Sequence, residues 1–335
     1  MTVREQLWRH PESPHTIRPF VASAKVRCRG YSLGLQRVVT DFGADESFAR
    51  AAAKVKEHYR IELCAGTVRQ VTQEHGARMQ SVPERKLRLP ASGVGALLAE
   101  TDGSMVPCVE VRAGVGDGRK RRAVCWKEAK LSLVREPGRA AARYAGTLLG
   151  AGAAGLQWRQ IAVQAGAGEK TKIAGRGDGA AWIVRQGAEQ FGGQWSYLLD
   201  YYHVSEYLSE VRAGDREWLA KQQGRLKRNE SGKVLEELEE LIVGETGAVG
   251  EAAGSCAKYL GERVEYLDYA GALARGLPIG SGEIESGNRA VVQARLKISG
   301  AWWLEQNAEK MLGLRTTRAN GEWESYWTQE RQNYA

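Results

Sequence analysis

Cysteine and histidine are scarce and scattered along the chain. The five cysteines, Cys28, Cys64, Cys108, Cys125 and Cys256, are odd in number and form no C-x-x-C pair. That argues against a disulfide framework or a zinc knuckle and fits a reducing cytoplasm. The five histidines do not cluster, which disfavours a histidine-rich metal site. No run reaches the ~18 apolar residues that a membrane span needs. The opening Met-Thr-Val-Arg-Glu-Gln lacks the apolar stretch of a signal peptide. A membrane partner is therefore not expected.

Basic charge is what the chain has. Its 335 residues hold 48 Lys and Arg against 40 Asp and Glu, a net of +8. This balance favours acidic partners, nucleic acid first, although a soluble enzyme with a basic surface carries the same charge. The length favours two or three structural units, and 43% hydrophobic residues can bury a sizeable core.

Residues 1–43, with Pro11, Pro14 and Pro19, read as an irregular leader in which Arg27 and Arg29 could touch phosphate or form a solvated face. Residues 44–80 read as helical, with Asp45 capping a helix over 46–58 and a second helix over 67–75. Helix, short turn, helix is the outline of a helix-turn-helix, whose second helix can enter the major groove. Arg69, Gln70 and Gln73 are then the groove-facing candidates; a plain helical hairpin packs the same way. His58 and His75 read as surface or packing residues. A linker with Pro83 and Pro90 follows.

Strands are expected over 94–102, 106–112 and 123–134, the last two joined by a basic-tipped turn. A helix around Ala153–Ala165, a strand over 170–178, a helix over 179–191, a strand over 195–200 and a helix from Tyr201 complete the pattern. Three strands, helix, strand, helix, strand, helix is the order of a ribonuclease H-like α/β fold with a mixed sheet. Charged, helix-forming residues 209–276 read as a large all-helical insertion. The expected divisions are thus 1–43, 44–80, 94–208, 209–276 and 277–335, the last holding a final catalytic helix and a basic, tryptophan-rich tail.

Two acids stand at expected strand ends, Asp102 in Thr-Asp-Gly and Asp178 in Gly-Asp-Gly. A third, Glu285, follows the glycine-rich turn Gly280-Ser-Gly282 at the start of a basic helix. In a ribonuclease H-like sheet the first and fourth strands are neighbours ~4.8 Å apart, so carboxylates at adjacent ends can share a metal. Two Mg2+ ions ~4 Å apart can activate a water or 3′-hydroxyl and stabilise the leaving oxygen. Asp102, Asp178 and Glu285 are the expected catalytic residues and metal ligands. Glu283 is the fallback third acid, and Asp200 reads as a helix cap or a partner of His203. The bland alternative makes every one of these acids a turn or cap residue.

At these positions the sequence resembles the ISKra-type insertion-sequence transposases, bacterial DDE transposases distantly similar to the Mutator-like and ISL-type groups. The likeness rests on Thr101-Asp-Gly103, Trp126-Lys-Glu-Ala-Lys130, Gly177-Asp-Gly-Ala-Ala-Trp-Ile183, Leu199-Asp-Tyr-Tyr-His-Val204 and Gly280-Ser-Gly-x-x-Glu-Ser286. It continues through Arg295-Leu-Lys-x-x-Gly-x-x-Trp303 and Met311-Leu-x-Leu-Arg315, covering roughly residues 17–327. It implies a ribonuclease H-like catalytic domain, dependence on two Mg2+ ions with Mn2+ as a possible substitute, and double-stranded DNA (transposon ends and target) as partner. It also implies a homodimer or higher assembly on DNA and a cytoplasmic, nucleoid-associated protein. In that picture Trp303 stacks on a base or packs in the core, and Arg295 and Lys297 face phosphates or are solvated. Family members often have a longer N-terminal region, which leaves open a truncated or differently started copy. The rival readings are a structure-specific nuclease of the same fold, such as a junction resolvase, and a non-catalytic DNA-binding regulator.

Overall fold

A computed structural model describes residues 5–9, 11–12, 16–23, 30–80 and 87–333. Arg27, Cys28, Arg29 and the linker's Pro83 lie outside the described residues. Helix formation begins earlier than the leader reading allows. A strand pair, β1 (Trp8–Arg9) and β2 (Thr16–Ile17), and a short helix α1 (Pro19–Ser23) precede α2 (Leu33–Asp45). Ser32 caps α2 by accepting from the Leu35 N–H, and Leu35, Val38, Val39 and Phe42 recur at helical spacing. The upstream prolines had drawn residues 33–43 into the leader. α3 (Phe48–Tyr59) is capped by Ser47, not Asp45: the Ser47 hydroxyl accepts from the Arg50 N–H. Asp45 instead closes α2 and pairs with Arg315 and Arg318. α4 (Ala65–Met79) is longer at both ends than expected.

The chain divides into two compact units. Unit 1 comprises residues 1–81, 105–127 and 290–335; unit 2 comprises 82–104 and 128–289.

Unit 2 holds the larger part of a mixed sheet of five strands, β5-β4-β3-β6-β7 in spatial order. The strands are β3 (Ala96–Val111), β4 (Arg122–Arg135), β5 (Arg143–Thr147), β6 (Lys172–Gly177) and β7 (Trp195–Leu199). β4 and β5 are antiparallel, whereas β3, β6 and β7 run parallel. Two expectations are corrected. The segments 94–102 and 106–112 are one strand: Gly103 does not take a positive φ, so the Asp-Gly pair continues β3 instead of turning. The third strand of the meander is β5, hidden in an alanine- and glycine-rich stretch.

α5 (Ala151–Gln164) and α6 (Ala181–Phe191) cover one sheet face, where Trp158, Ile161, Ile183 and Phe191 join Leu97, Ala99 and Ile173. Trp195 lies so close to Gly175 and Gly187 that a Cβ on either would collide with the indole. α7 (Tyr201–Val211) leads into further helices, α8 (Arg216–Lys227), α9 (Ser231–Gly244), α10 (Ala248–Gly261) and α11 (Tyr269–Ala274). Val204, Leu208, Leu226, Leu238 and Leu260 form their buried seam. The chain then forms α12 (Gly282–Gly287), a π-helical turn over Asn288–Gln293, and α13 (Ala294–Leu296).

Unit 1 is helical apart from the hairpin 105–127 and the β1–β2 pair. α2, α3 and α4 pack through Val39, Ala51, Val55, Val68 and Val71. α14 (Glu305–Ala319) lies on α4, where Gly76 meets the Lys310 backbone, and α15 (Trp323–Asn333) follows. Among the described residues no helix is long and apolar enough to cross a membrane.

Candidate acid site

β3 and β6 pair in parallel with Glu100 opposite Arg176. Two residues further along each strand come Asp102, inside β3, and Asp178, just beyond β6. Asp102 therefore does not end its strand, although it keeps its place beside Asp178. One Asp102 oxygen accepts from its neighbour's N–H, at Gly103 (2.7 Å), and the other from Asn288 Nδ2 (2.8 Å). Burial raises the Asp102 pKa, and the charges of Asp178 and Glu285 push it the same way. Both acids thus act on Asp102.

The Asp178 turn is tightly specified. Its Oδ1 accepts from the Ala180 N–H (2.9 Å), and its carbonyl accepts from the Tyr259 hydroxyl (2.6 Å). Gly179 donates to Tyr197 Oη (2.9 Å) and has a φ of 81°, where a Cβ would strike Leu199 and Arg263. Only glycine fits there without strain.

Glu285 is exposed on α12, and the segment before it is held by three charged residues, Glu100 on β3, Arg176 on β6 and Asp200 just beyond β7. Arg176 Nε donates to the Pro278 carbonyl (2.6 Å). Asp200 accepts from the Ser281 N–H (2.6 Å) and from its hydroxyl. Glu100 accepts from the Ile284 N–H (3.0 Å). All three are at most 2% exposed. Burial raises the Glu100 pKa to about 7 and lowers that of Arg176. Asp200 also caps α7 through the Tyr202 and His203 N–H groups, the capping role expected for it. Glu283 is engaged in a bidentate ion pair with Arg135, which accounts for it structurally. Neither Glu100 nor Asn288 was foreseen as a site residue. Asn288 carried one usable signal, lying one helical turn beyond Glu285.

Among the described residues no three His, Cys, Asp or Glu side chains are drawn together tightly enough to hold a metal ion unaided. The donor chemistry nevertheless fits a hard, hydrated divalent cation: the Asp102 carboxylate, on which the charges of Asp178 and Glu285 act, beside a buried Asn288 Oδ1 with no hydrogen-bond partner.

The candidates for DNA contact fall in unit 1. Arg69 and Gln70 are exposed on α4, and Gln73 is half-buried; Lys297 is exposed. Arg295 is not solvated. It is 2% exposed, donates from Nε to the Gly43 carbonyl (3.0 Å), and stacks against Phe48 and Trp303 at 4.7 and 4.9 Å from their ring centroids. Trp303 is also buried, with Nε1 donating to the Leu296 carbonyl (3.0 Å), so the core-packing alternative describes it. Its neighbour Trp302 is half exposed.

Sheet and acids together define a mixed α/β protein with Asp102 and Asp178 at neighbouring positions on two parallel strands. The chain belongs to the uncharacterised protein family UPF0236, which it matches over residues 158–332. That span includes Asp178, Asn288 and Glu285 and stops short of Asp102. A search of curated proteins gave no match.

Proposed function

We propose that the chain is a DDE transposase of a bacterial insertion sequence, of the ISKra type, with Asp102, Asp178 and Glu285 as its catalytic acids. The observation that carries this reading is the parallel β3–β6 register that sets Asp102 beside Asp178, with the Asn288–Asp102 hydrogen bond tying the end of the Glu285 helix to them. The strand order β5-β4-β3-β6-β7, with helices after β5, β6 and β7, supports reading the sheet as ribonuclease H-like.

Asp102, Asp178 and Glu285 would hold Mg2+, which supplies activation of a water or 3′-hydroxyl and stabilisation of the leaving oxygen. Asn288 orients the Asp102 carboxylate. The Glu100, Arg176 and Asp200 contacts fix the segment that delivers Glu285, so positioning is built into the resting fold. The substrate is double-stranded DNA at the element's terminal inverted repeats, cut and then joined to target DNA by a dimer or larger assembly in the nucleoid.

Duplexes carrying the DNA that flanks the gene test this. With Mg2+ the protein should cleave and then transfer strands, and Asp102→Asn, Asp178→Asn and Glu285→Gln should each abolish both reactions. A variant that keeps near wild-type activity removes its residue from the site. Cleavage without strand transfer identifies a structure-specific nuclease, and specific binding without cleavage a regulator.

A further inference from the structure

The basic excess of the chain is confined to one unit. Unit 1 holds 25 Lys and Arg against 15 Asp and Glu, a net of +10, while unit 2 holds 23 against 25, a net of −2. Within unit 1 a cavity of about 310 Å³ lies beside α4. Arg69, Arg122 and Arg295 line it, and no Asp or Glu does so among the described residues. Arg69 and Arg122 are exposed, with no carboxylate partner among the described residues. Arg295 forms a buried wall, its guanidinium stacked against Phe48 and Trp303 and its Nη2 closed to solvent. The nearest acids are otherwise engaged: Asp45 by Arg315 and Arg318, Glu46 by Arg50 and Lys54.

Guanidinium forks match phosphate oxygens in shape as well as charge. Trp302, on the same wall and half exposed, offers a flat face to a base or sugar attached to that phosphate. The volume, at the low end for ligand pockets, suits one nucleotide and not a larger ligand. We infer that this cavity holds a phosphate of a nucleic acid strand, gripped by Arg69 and Arg122, with Arg295 as its buried cationic wall. The field of the surrounding unit draws in a polyanion in preference to a lone phosphate ion. The site requires no metal and no strand cleavage, so it stands apart from the acids of unit 2.

The test is fluorescence anisotropy of a labelled oligonucleotide titrated with the full chain in EDTA, at several salt concentrations. Arg69→Gln with Arg122→Gln should weaken binding about 10-fold and reduce the salt slope by about one to two, as expected for one or two lost phosphate contacts. Arg185→Gln, an exposed change on α6, should leave both unchanged. The assay in EDTA reads binding alone, so its outcome is independent of cleavage at the acid site. Inorganic phosphate should compete only at millimolar levels. Equal affinity and slope in the double variant, with its circular dichroism intact, would overturn the inference. Displacement of the oligonucleotide by micromolar phosphate would overturn it too, by identifying a free-anion site.

Discussion

The Asp200 carboxylate reaches across 81 residues of sequence to accept both the N–H and the hydroxyl of Ser281. Its other oxygen caps α7. One buried side chain therefore sets the start of a helix and the turn that leads to Glu285. Asp200→Asn replaces an acceptor with a donor facing N–H groups and should destabilise the fold by about 1–3 kcal/mol. Ser281→Ala keeps the backbone contact and should cost about 1 kcal/mol or less. Urea unfolding of both variants measures the difference; equal stabilities would remove Asp200 from its organising role.

Asn288 donates to Asp102 and leaves a carbonyl oxygen unpaired beside the acids. Asn288→Ala should lower metal-dependent cleavage roughly 10–100-fold, the usual effect of losing a group that orients a ligand. The melting temperature should change little by comparison. An unaltered cleavage rate would show that Asp102 needs no such support.

His75 should make unit 1 sensitive to acid. It is fully buried, with Nε2 facing Gln36 Oε1 (3.0 Å) and Nδ1 facing the Tyr326 hydroxyl (2.7 Å). Burial, aided by Arg78, lowers its pKa from 6.5 to about 3. The unfolded chain therefore takes up a proton at a pH where the folded chain does not. The stability from neutral His75 is fully present above pH 6.5 and is lost as pH falls from there towards about 3. The loss amounts to roughly a few kcal/mol. In His75→Gln, unfolding followed between pH 7 and pH 4 should show a smaller slope.

Gly43 and Thr72 bring α2 and α4 into close contact, and a Cβ at Gly43 would run into the Thr72 hydroxyl. Gly43→Ala should cost about 1–3 kcal/mol through overpacking. Adding Thr72→Ala should recover part of that loss, and the coupling in a double-mutant cycle measures the contact.

The helices α8 to α11, α5, α6 and the strand β7 were legible because their apolar periodicity is local and uninterrupted. The split of β3 was misread because Asp-Gly is a turn dipeptide, and nothing nearby signals that its neighbours hold it extended. α2 was missed because prolines before it set the tone of the whole leader. At the acid site the residue types Asp102, Asp178 and Glu285 stood out by their flanking glycines. Their supports did not. Glu100 meets Ile284, Arg176 meets Pro278 and Asn288 meets Asp102 across 102 to 186 residues. Hydrogen bonds over such separations leave no periodic trace in a single sequence.

The Trp195 indole fills the space that side chains at Gly175 and Gly187 would need. Enlarging either glycine first creates a collision, and shrinking the ring first leaves a void. Divergence at these three positions must therefore pass through a less stable intermediate, so the trio should be inherited or lost as a set. The strand β6 that carries Gly175 also leads to Asp178, which ties the history of a packing contact to the placement of an acid.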